Sequence, residues 1–326
     1  MLTFDARRVY ATIATDMERY ERTFVSAVGA DQPFLSDLIT HVSRYKGKQL
    51  RPALVFLSAR ACGSPVTEDH LRVAVAIELI HTATLVHDDV IDEADKRRGL
   101  PSINSAYDNE TSVLLGDWLF ATAYGVAASL DTLDAARHLA RTTRELCQGE
   151  VRQVSQRGAL DLEEGEYLRI VSEKTAALYA ASAELGARYA GADDSTTVQL
   201  GRFGRLLGTA FQIADDVLDL VGDEEEVGKS LGTDVEKGKL TLPVIQLLKV
   251  ASPVDAVRAR ALLEEGSRDA RDRLRSLLAT YQTIQYAEEA ARNFTDEAKG
   301  CLASLPDTQA RDSLIALADY VITRTS

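Results

Sequence analysis

Apolar residues recur at three- and four-residue spacing almost throughout the chain, the period of helices that bury one face. Val9, Ile13, Met17, Tyr20 and Phe24 make one stripe. Leu71, Val75, Leu79 and Val86, with Glu78 and Thr82 on the same course, predict a longer helix. Val198, Leu200, Leu206, Leu207, Phe211, Ala214, Val217 and Leu218 predict another. No run alternates apolar and polar residues over strand length between turn signals. Helix stops fall at Gly63-Ser64-Pro65, Gly99-Leu100-Pro101, Gly191-Ala192-Asp193-Asp194, Ser252-Pro253 and Leu305-Pro306-Asp307. Pro52 after Arg51 suits a first helical position. There is no solenoid-period repeat, low-complexity stretch or linker. The pattern therefore predicts one all-α domain over residues 1–326, with about a dozen helices. That outweighs the two domains suggested by length at about 150 residues each.

Hydrophobic residues are 45% of the 326 and charged residues 27%, an ordinary balance for a soluble globular protein. A formal net charge of -13 argues against nucleic acid as a partner. It also means that an anionic substrate would need local cations or metal ions. Cys62, Cys147 and Cys301 form neither a CxxC pair nor a zinc spacing, and so sparse an odd count fits a reducing cytoplasm. Residues 1–24 lack the apolar stretch of a secretory signal. The longest stretch without Asp, Glu, Lys or Arg runs from Trp118 to Leu130, too short to span a bilayer. A cytoplasmic protein with no transmembrane segment is expected.

Two acidic clusters share one spacing: Asp88-Asp89-Val90-Ile91-Asp92 and Asp215-Asp216-Val217-Leu218-Asp219. On a helix the first and last carboxylates of each lie on one face. Three carboxylates in one turn repel unless a cation enters. Magnesium takes hard oxygen ligands and completes its shell with water and substrate phosphates. One such cluster is as readily a solvated acidic face. Two copies, each ending a strongly apolar helix, favour metal sites, because carboxylates buried without partners are costly. The candidate ligands are Asp88, Asp89, Asp92, Asp215, Asp216 and Asp219.

A diphosphate also needs cations. Gly47-Lys48-Gln49-Leu50-Arg51-Pro52 sets two of them before a helix start, where free amides and the helix dipole favour phosphate. Lys96-Arg97-Arg98-Gly99 follows the first cluster closely. Lys174-Thr175, Lys229 within Gly228–Asp234, and Lys239 before Leu240-Thr241 complete the set. Each alone is most simply a surface cation; their weight comes from standing beside the Asp clusters. His81, seven residues before Asp88, shares its helix face. No HExxH spacing points to zinc.

Together these segments resemble the trans-prenyl diphosphate synthases, the polyprenyl synthetase family, and most closely its octaprenyl and other long-chain members. The carriers are GKxxRP at Gly47, the stretch His81–Asp92, Arg97-Arg98-Gly99, Gly116-Asp117, Gly149-Glu150, Lys174-Thr175, Phe211–Asp216, and GKxxGxD followed by KxT. The resemblance implies an all-α helical bundle of the isoprenoid synthase type with a deep central cavity. It also implies a homodimer and three magnesium ions held between the two Asp motifs on the allylic diphosphate. Isopentenyl diphosphate is expected on Lys48, Arg51, His81 and Arg98. Arg97, Lys174, Thr175, Gln212, Lys229 and Lys239 are expected to serve the allylic diphosphate and the developing cation. The catalytic set implied is Asp88, Asp89, Asp92, Arg97, Lys174, Asp215, Asp216 and Lys229. Contact with a membrane is expected to be transient, at product release.

Chain length should be set on the helix before Asp88, where one turn, about 5.4 Å, approximates one isoprene unit. Thr84 and Ala83, four and five residues earlier, are small where short-chain members carry an aromatic, and Ile80 lies below them. A long, octaprenyl-like product is the first expectation, with geranylgeranyl or farnesyl diphosphate next. The plainer role for Ala83 and Thr84 is close helix packing. A terpene cyclase would carry an Asn/Ser/Glu-type second metal motif. A non-catalytic partner subunit would show eroded Asp or Lys positions. A di-iron bundle would need paired Glu-x-x-His motifs.

Overall fold

The computed structural model describes residues 6–45, 47–221 and 237–323. Among them are sixteen α-helices, one π-helical turn and a two-stranded hairpin, so the all-α expectation holds. The chain runs α1 Ala6–Ala11, α2 Ala14–Ala27, α3 Pro33–Ser43, α4 Leu50–Ala61 and α5 Glu68–Ile91. The hairpin follows, β1 Lys96–Arg97 and β2 Leu100–Pro101. Then come α6 Ile103–Ala106, α7 Asn109–Ala128, α8 Asp134–Ser155 and α9 Glu164–Val171, the π turn Ser172–Ala176, α10 Ala177–Tyr189 and α11 Asp194–Val221. The last five are α12 Leu242–Val250, α13 Pro253–Glu265, α14 Arg268–Thr280, α15 Thr283–Cys301 and α16 Gln309–Thr323.

The residues form two compact units. The first comprises Met1–Arg144, Leu178–Gly204 and Cys301–Leu317. Its α4 and α5 are apolar on nearly every side, so neighbours enclose them. Leu54, Phe56 and Leu57 of α4 and Leu71, Ile77, Leu79 and Ile80 of α5 are fully buried. Helix α7 packs along α5. The start of α5 is pinned by His70, whose Nδ1 accepts from the Thr67 N–H at 3.1 Å while Nε2 reaches the Gly186 carbonyl at 3.1 Å. Gly186 also lets α10 lie against α4, since a Cβ there would strike the Val55 carbonyl.

The second unit comprises Glu145–Ala177, Arg205–Gly300 and Ala318–Ser326. Its core gathers Tyr167 and Val171 of α9, Ile213, Val217 and Leu220 of α11, and Leu242 and Leu247 of α12 with Leu274 and Leu278 of α14.

The stop signals fall where helices end or begin. Gly63 and Gly191 adopt left-handed φ of 81° and 76° just past α4 and α10, as glycine does at helix C-termini. Ser252 caps α13, its hydroxyl accepting from the Asp255 N–H at 3.2 Å. Three details differ from expectation. The N-terminal stripe is two helices, broken at Ile13, which is fully buried but leaves helical backbone at φ -125°, ψ 15°. Pro52 is the third residue of α4 rather than the first, which costs nothing because the first N–H groups of a helix lack intrahelical acceptors. Gly99-Leu100-Pro101 closes a hairpin too short for period-two patterning to show. Its two-residue turn, Arg98-Gly99, has φ of 51° and 77°, the left-handed pair that matches strand twist.

Candidate active site

The first Asp cluster ends α5. Asp88 is in the last turn and Asp92 caps it, its N–H bonded to the Asp88 carbonyl at 2.8 Å. Both are half-buried, whereas Asp89 is 1% exposed. The hairpin returns Arg97 onto Asp89. Its Nε donates to both carboxylate oxygens, at 3.0 and 2.9 Å, and Nη2 donates to Oδ1 at 2.7 Å. Such a planar fork is stronger and more directional than a lysine contact. The carboxylates of this cluster thus divide by surroundings: Asp88 and Asp92 are a helical turn apart at the mouth of α5, and Asp89 is gripped beneath them.

Behind it lies a cationic group in the same unit. Arg98 donates to the Tyr45 carbonyl, and its guanidinium occupies the space a Cβ on Gly47 would fill. That explains the glycine of GKxxRP. Arg51 stacks on the fully buried Tyr179 ring, 4.6 Å from its centroid, and its buried Nε has no hydrogen-bond partner among the described residues. Burial pushes the Glu78 carboxyl up, against the pull of Arg51 and Arg98. Burial drives His81 well below the usual imidazole value, and Arg51, Arg98 and Arg97 drive it further, so His81 is neutral at neutral pH. Burial, with the charge of Asp89, pushes the Tyr45 phenol up to about 12. Its hydroxyl donates to the Pro101 carbonyl at 2.8 Å. The geometry brings Arg51, His81 and Arg98 together. Lys48 lies on the exposed loop ahead of α4, next to Gln49, whose φ of 49° turns the chain into the helix.

The second cluster lies on α11. Asp215 is half-buried, and Asp216 and Asp219 are 6% and 4% exposed. Asp216 accepts from the Tyr167 hydroxyl at 2.6 Å and from Gln212 Nε2 at 2.7 Å. Gln212 Oε1 in turn accepts from Thr175 at 2.8 Å. Lys174 and Thr175 sit in the π turn, a one-residue insertion that swings their side chains off the regular helical course. Arg205 secures that turn: it pairs with Glu145 at 2.7 Å and donates to the Ser172 hydroxyl at 3.0 Å. Gly149 lets α8 lie against it, since a Cβ would come within 2.6 Å of the Lys174 backbone nitrogen. Lys174 Nζ reaches Glu150 at 2.8 Å and Gln153 Oε1 at 2.9 Å.

One pocket of this unit is lined by Lys174, Thr175, Gln212, Asp216, Lys239 and Thr241. The Thr241 hydroxyl is buried with no partner among the described residues. Lys229 and the segment 228–234 lie outside the described residues. Ala83 and Ile80 are fully buried in α5, and Thr84 is half-buried with its hydroxyl donating to the His81 carbonyl at 2.7 Å.

No three acidic, histidine or cysteine side chains among the described residues form a ready cage for a metal ion. The donor chemistry nevertheless fits magnesium. Asp88 and Asp92 offer hard oxygens from adjacent turns, and this ion usually takes the remainder of its octahedron from water and phosphate. Sequence reasoning missed Tyr45, Gln153, Tyr167 and Tyr179 as parts of these clusters, and quoted Glu150 and Thr241 only within motifs, without a role. Tyr167, like Gln153, joins its cluster through a contact distant in sequence.

A family model described as polyprenyl synthetase matches residues 32–281. An octaprenyl diphosphate synthase from Escherichia coli is 34% identical over 312 residues, covering 95% of this chain and 96% of the relative. A nonaprenyl diphosphate synthase from Mycobacterium tuberculosis is 36% identical over 319 residues, covering 96% and 94%. Among solved structures, a polyprenyl synthase from Caulobacter crescentus complexed with calcium and isoprenyl diphosphate superposes with a TM-score of 0.94 at 33% identity, covering 100% of both chains.

Proposed function

The chain belongs to the polyprenyl synthetase family, and on that premise we propose that it condenses isopentenyl diphosphate with an allylic prenyl diphosphate, head to tail, releasing diphosphate. It is a trans-polyprenyl diphosphate synthase making a long-chain, octaprenyl-like all-trans product. The observation that carries the reading is Arg51 Nε, buried without a hydrogen-bond partner among the described residues, beside Arg98 and a neutral His81. A cationic group left unsatisfied in this way suits an anion, here the diphosphate of isopentenyl diphosphate.

Magnesium, proposed at three ions per active site with substrate bound, would supply the charge neutralisation that the leaving diphosphate needs. Asp88, Asp92 and Asp215, with Asp89, Asp216 and Asp219 supporting them, are the residues that would hold it. The Caulobacter structure is complexed with calcium as well as isoprenyl diphosphate, which supports a hard divalent cation. Lys174, Lys239, Arg97 and Lys229 meet the negative charge that develops as the C–O bond ionises. Thr175 and Gln212 orient that diphosphate. Lys48, Arg51, His81 and Arg98 hold the second substrate so that its double bond lies near the allylic cation. Exclusion of water protects the cation. The released diphosphate accepts the final proton.

No helix of the described residues is long and apolar enough to cross a membrane. A cytoplasmic enzyme with transient membrane contact at product release fits that. A homodimer is the proposed assembly. Residues 1–326 are proposed to act as one catalytic domain, supported by the unbroken family match across both units. The test is incubation with labelled isopentenyl diphosphate, magnesium and each allylic primer in turn, followed by product sizing. Elongation to long-chain product is expected; no elongation with any primer would reject the function.

A further inference from the structure

We propose that Tyr167 is a positioning residue that holds Asp216 in working orientation and locks it to the π turn bearing Lys174 and Thr175. This rests on the reading of the second Asp cluster given above. Tyr167 is 3% exposed, two helical turns before Lys174 on the same continuous stretch of helix. Its phenol donates to Asp216 Oδ2 at 2.6 Å, a buried charge-assisted contact. The other carboxylate oxygen accepts from Gln212, and Gln212 accepts from Thr175. Each oxygen of Asp216 is thereby engaged from a defined direction.

Two bridges consequently join the Lys174 segment to α11: Tyr167 to Asp216, and Thr175 to Gln212. They lie on either side of Lys174 in sequence. A carboxylate on a short side chain can rotate about χ2, a soft torsion. One donor on each oxygen removes that freedom. Tyr167 thus sets where the remaining lone pairs of Asp216 point, and it fixes the spacing between that negative charge and the ammonium of Lys174. Packing alone does not require the hydroxyl, since phenylalanine would keep the apolar ring in the core cluster that also holds Val171, Ile213 and Val217.

The experiment measures calorimetric binding of inorganic diphosphate, at saturating magnesium, to the wild type, Tyr167→Phe, Asp216→Asn and the double variant. Tyr167→Phe should weaken diphosphate binding about tenfold, the low end for loss of a hydrogen bond to a charged group. In the Asp216→Asn background the same change should have less than its full effect, since the neutral amide oxygen accepts more weakly than the carboxylate. Binding of isopentenyl diphosphate without magnesium should be unchanged by Tyr167→Phe, which separates positioning from general destabilisation. Thermal unfolding of each variant provides the control for folding.

Wild-type diphosphate affinity in Tyr167→Phe overturns the proposal, as does a full tenfold loss added on top of Asp216→Asn. Equal weakening of both ligands, with a lowered unfolding temperature, also overturns it in favour of a packing role. If Asp216→Asn itself leaves diphosphate binding unchanged, the assignment of the second cluster falls and Tyr167 falls with it. Weak binding in Asp216→Asn beside normal binding in Tyr167→Phe removes Tyr167 alone.

Discussion

Arg97 and Asp89 form a three-bond pair, with donor–acceptor distances of 2.7 to 3.0 Å, beneath the end of α5. Asp89 is 1% exposed and the Arg97 side chain 25%. Removing one partner of such a pair strands the other without its counter-charge. Asp89→Ala should therefore lower unfolding free energy by about 3 kcal/mol, the low end for a broken buried pair. Urea denaturation measures this directly. Elongation should also fall, because Arg97 loses the anchor that holds the hairpin against the cluster. Unchanged stability would mean that the pair contributes no more than a surface ion pair.

Gly149→Ala tests whether the π turn needs α8 pressed against it. The added Cβ would lie 2.6 Å from the Lys174 backbone nitrogen and 2.9 Å from Glu173 Cβ. Backbone cannot swing aside as a flexible side chain can, so α8 or the turn must shift. A cost of about 1–3 kcal/mol is expected for such overpacking. The larger consequence should be catalytic, with elongation at least about tenfold slower, since displacements of 1 Å in a positioning group are that costly. Steady-state kinetics beside thermal unfolding separates the two effects. Full activity would show that the π turn does not position Lys174.

The helical architecture was legible because the apolar spacing of α5 and α11 is strong, and because Gly63, Gly191 and Ser252 mark helix ends by local chemistry. The same local reasoning identified the cations Arg51, Arg98 and Lys174. Their partners were not legible. Tyr179 meets Arg51 across more than a hundred residues of chain, and Tyr167 meets Asp216 across 49. The π turn left no periodic trace either, since it inserts one residue into an otherwise regular helix. Identical Asp spacing also concealed unlike surroundings: Asp89 is held by an arginine and Asp216 by a tyrosine and a glutamine, contacts that spacing alone cannot encode.

His70, fully buried, and His81, half-buried, predict acid sensitivity. Burial depresses His70, against opposing effects of its bond to Gly186 and the charges of Asp69 and Asp16. Burial and then Arg51, Arg98 and Arg97 depress His81. The unfolded chain protonates both near pH 6.5, above their folded values, so below that pH the unfolded state binds more protons. Stability from these groups is complete above about pH 6.5 and drains as pH falls below it. His70→Gln keeps an acceptor for Thr67 and a donor for Gly186 without titrating. Its unfolding free energy, followed from pH 7 to 5, should fall less steeply than that of the wild type. Glu78 titrates in both proteins and cancels in the comparison. Equal slopes would show that His70 is not the group responsible.

Ala83→Phe asks whether α5 measures the product. Ala83 and Ile80 are fully buried, and Thr84 is half-buried with its hydroxyl turned back to the His81 carbonyl. Two roles fit those facts. In one, Ala83 is small so that α5 can pack closely on its neighbours. In the other, it leaves room for a chain growing down from Asp88, about one isoprene unit per 5.4 Å turn. Phenylalanine separates them. As a packing residue, it should cost about 1–3 kcal/mol of stability and leave the size of the product unchanged. As a wall residue, it should stop elongation early, shifting the product from long-chain to shorter prenyl diphosphates while the first condensation proceeds. Thr84→Phe, one position along, provides a second reading at a less enclosed site and should shorten the product as well. Chromatographic sizing of the dephosphorylated prenols decides between the roles, and a product distribution unchanged in both variants would place the length-setting residues elsewhere.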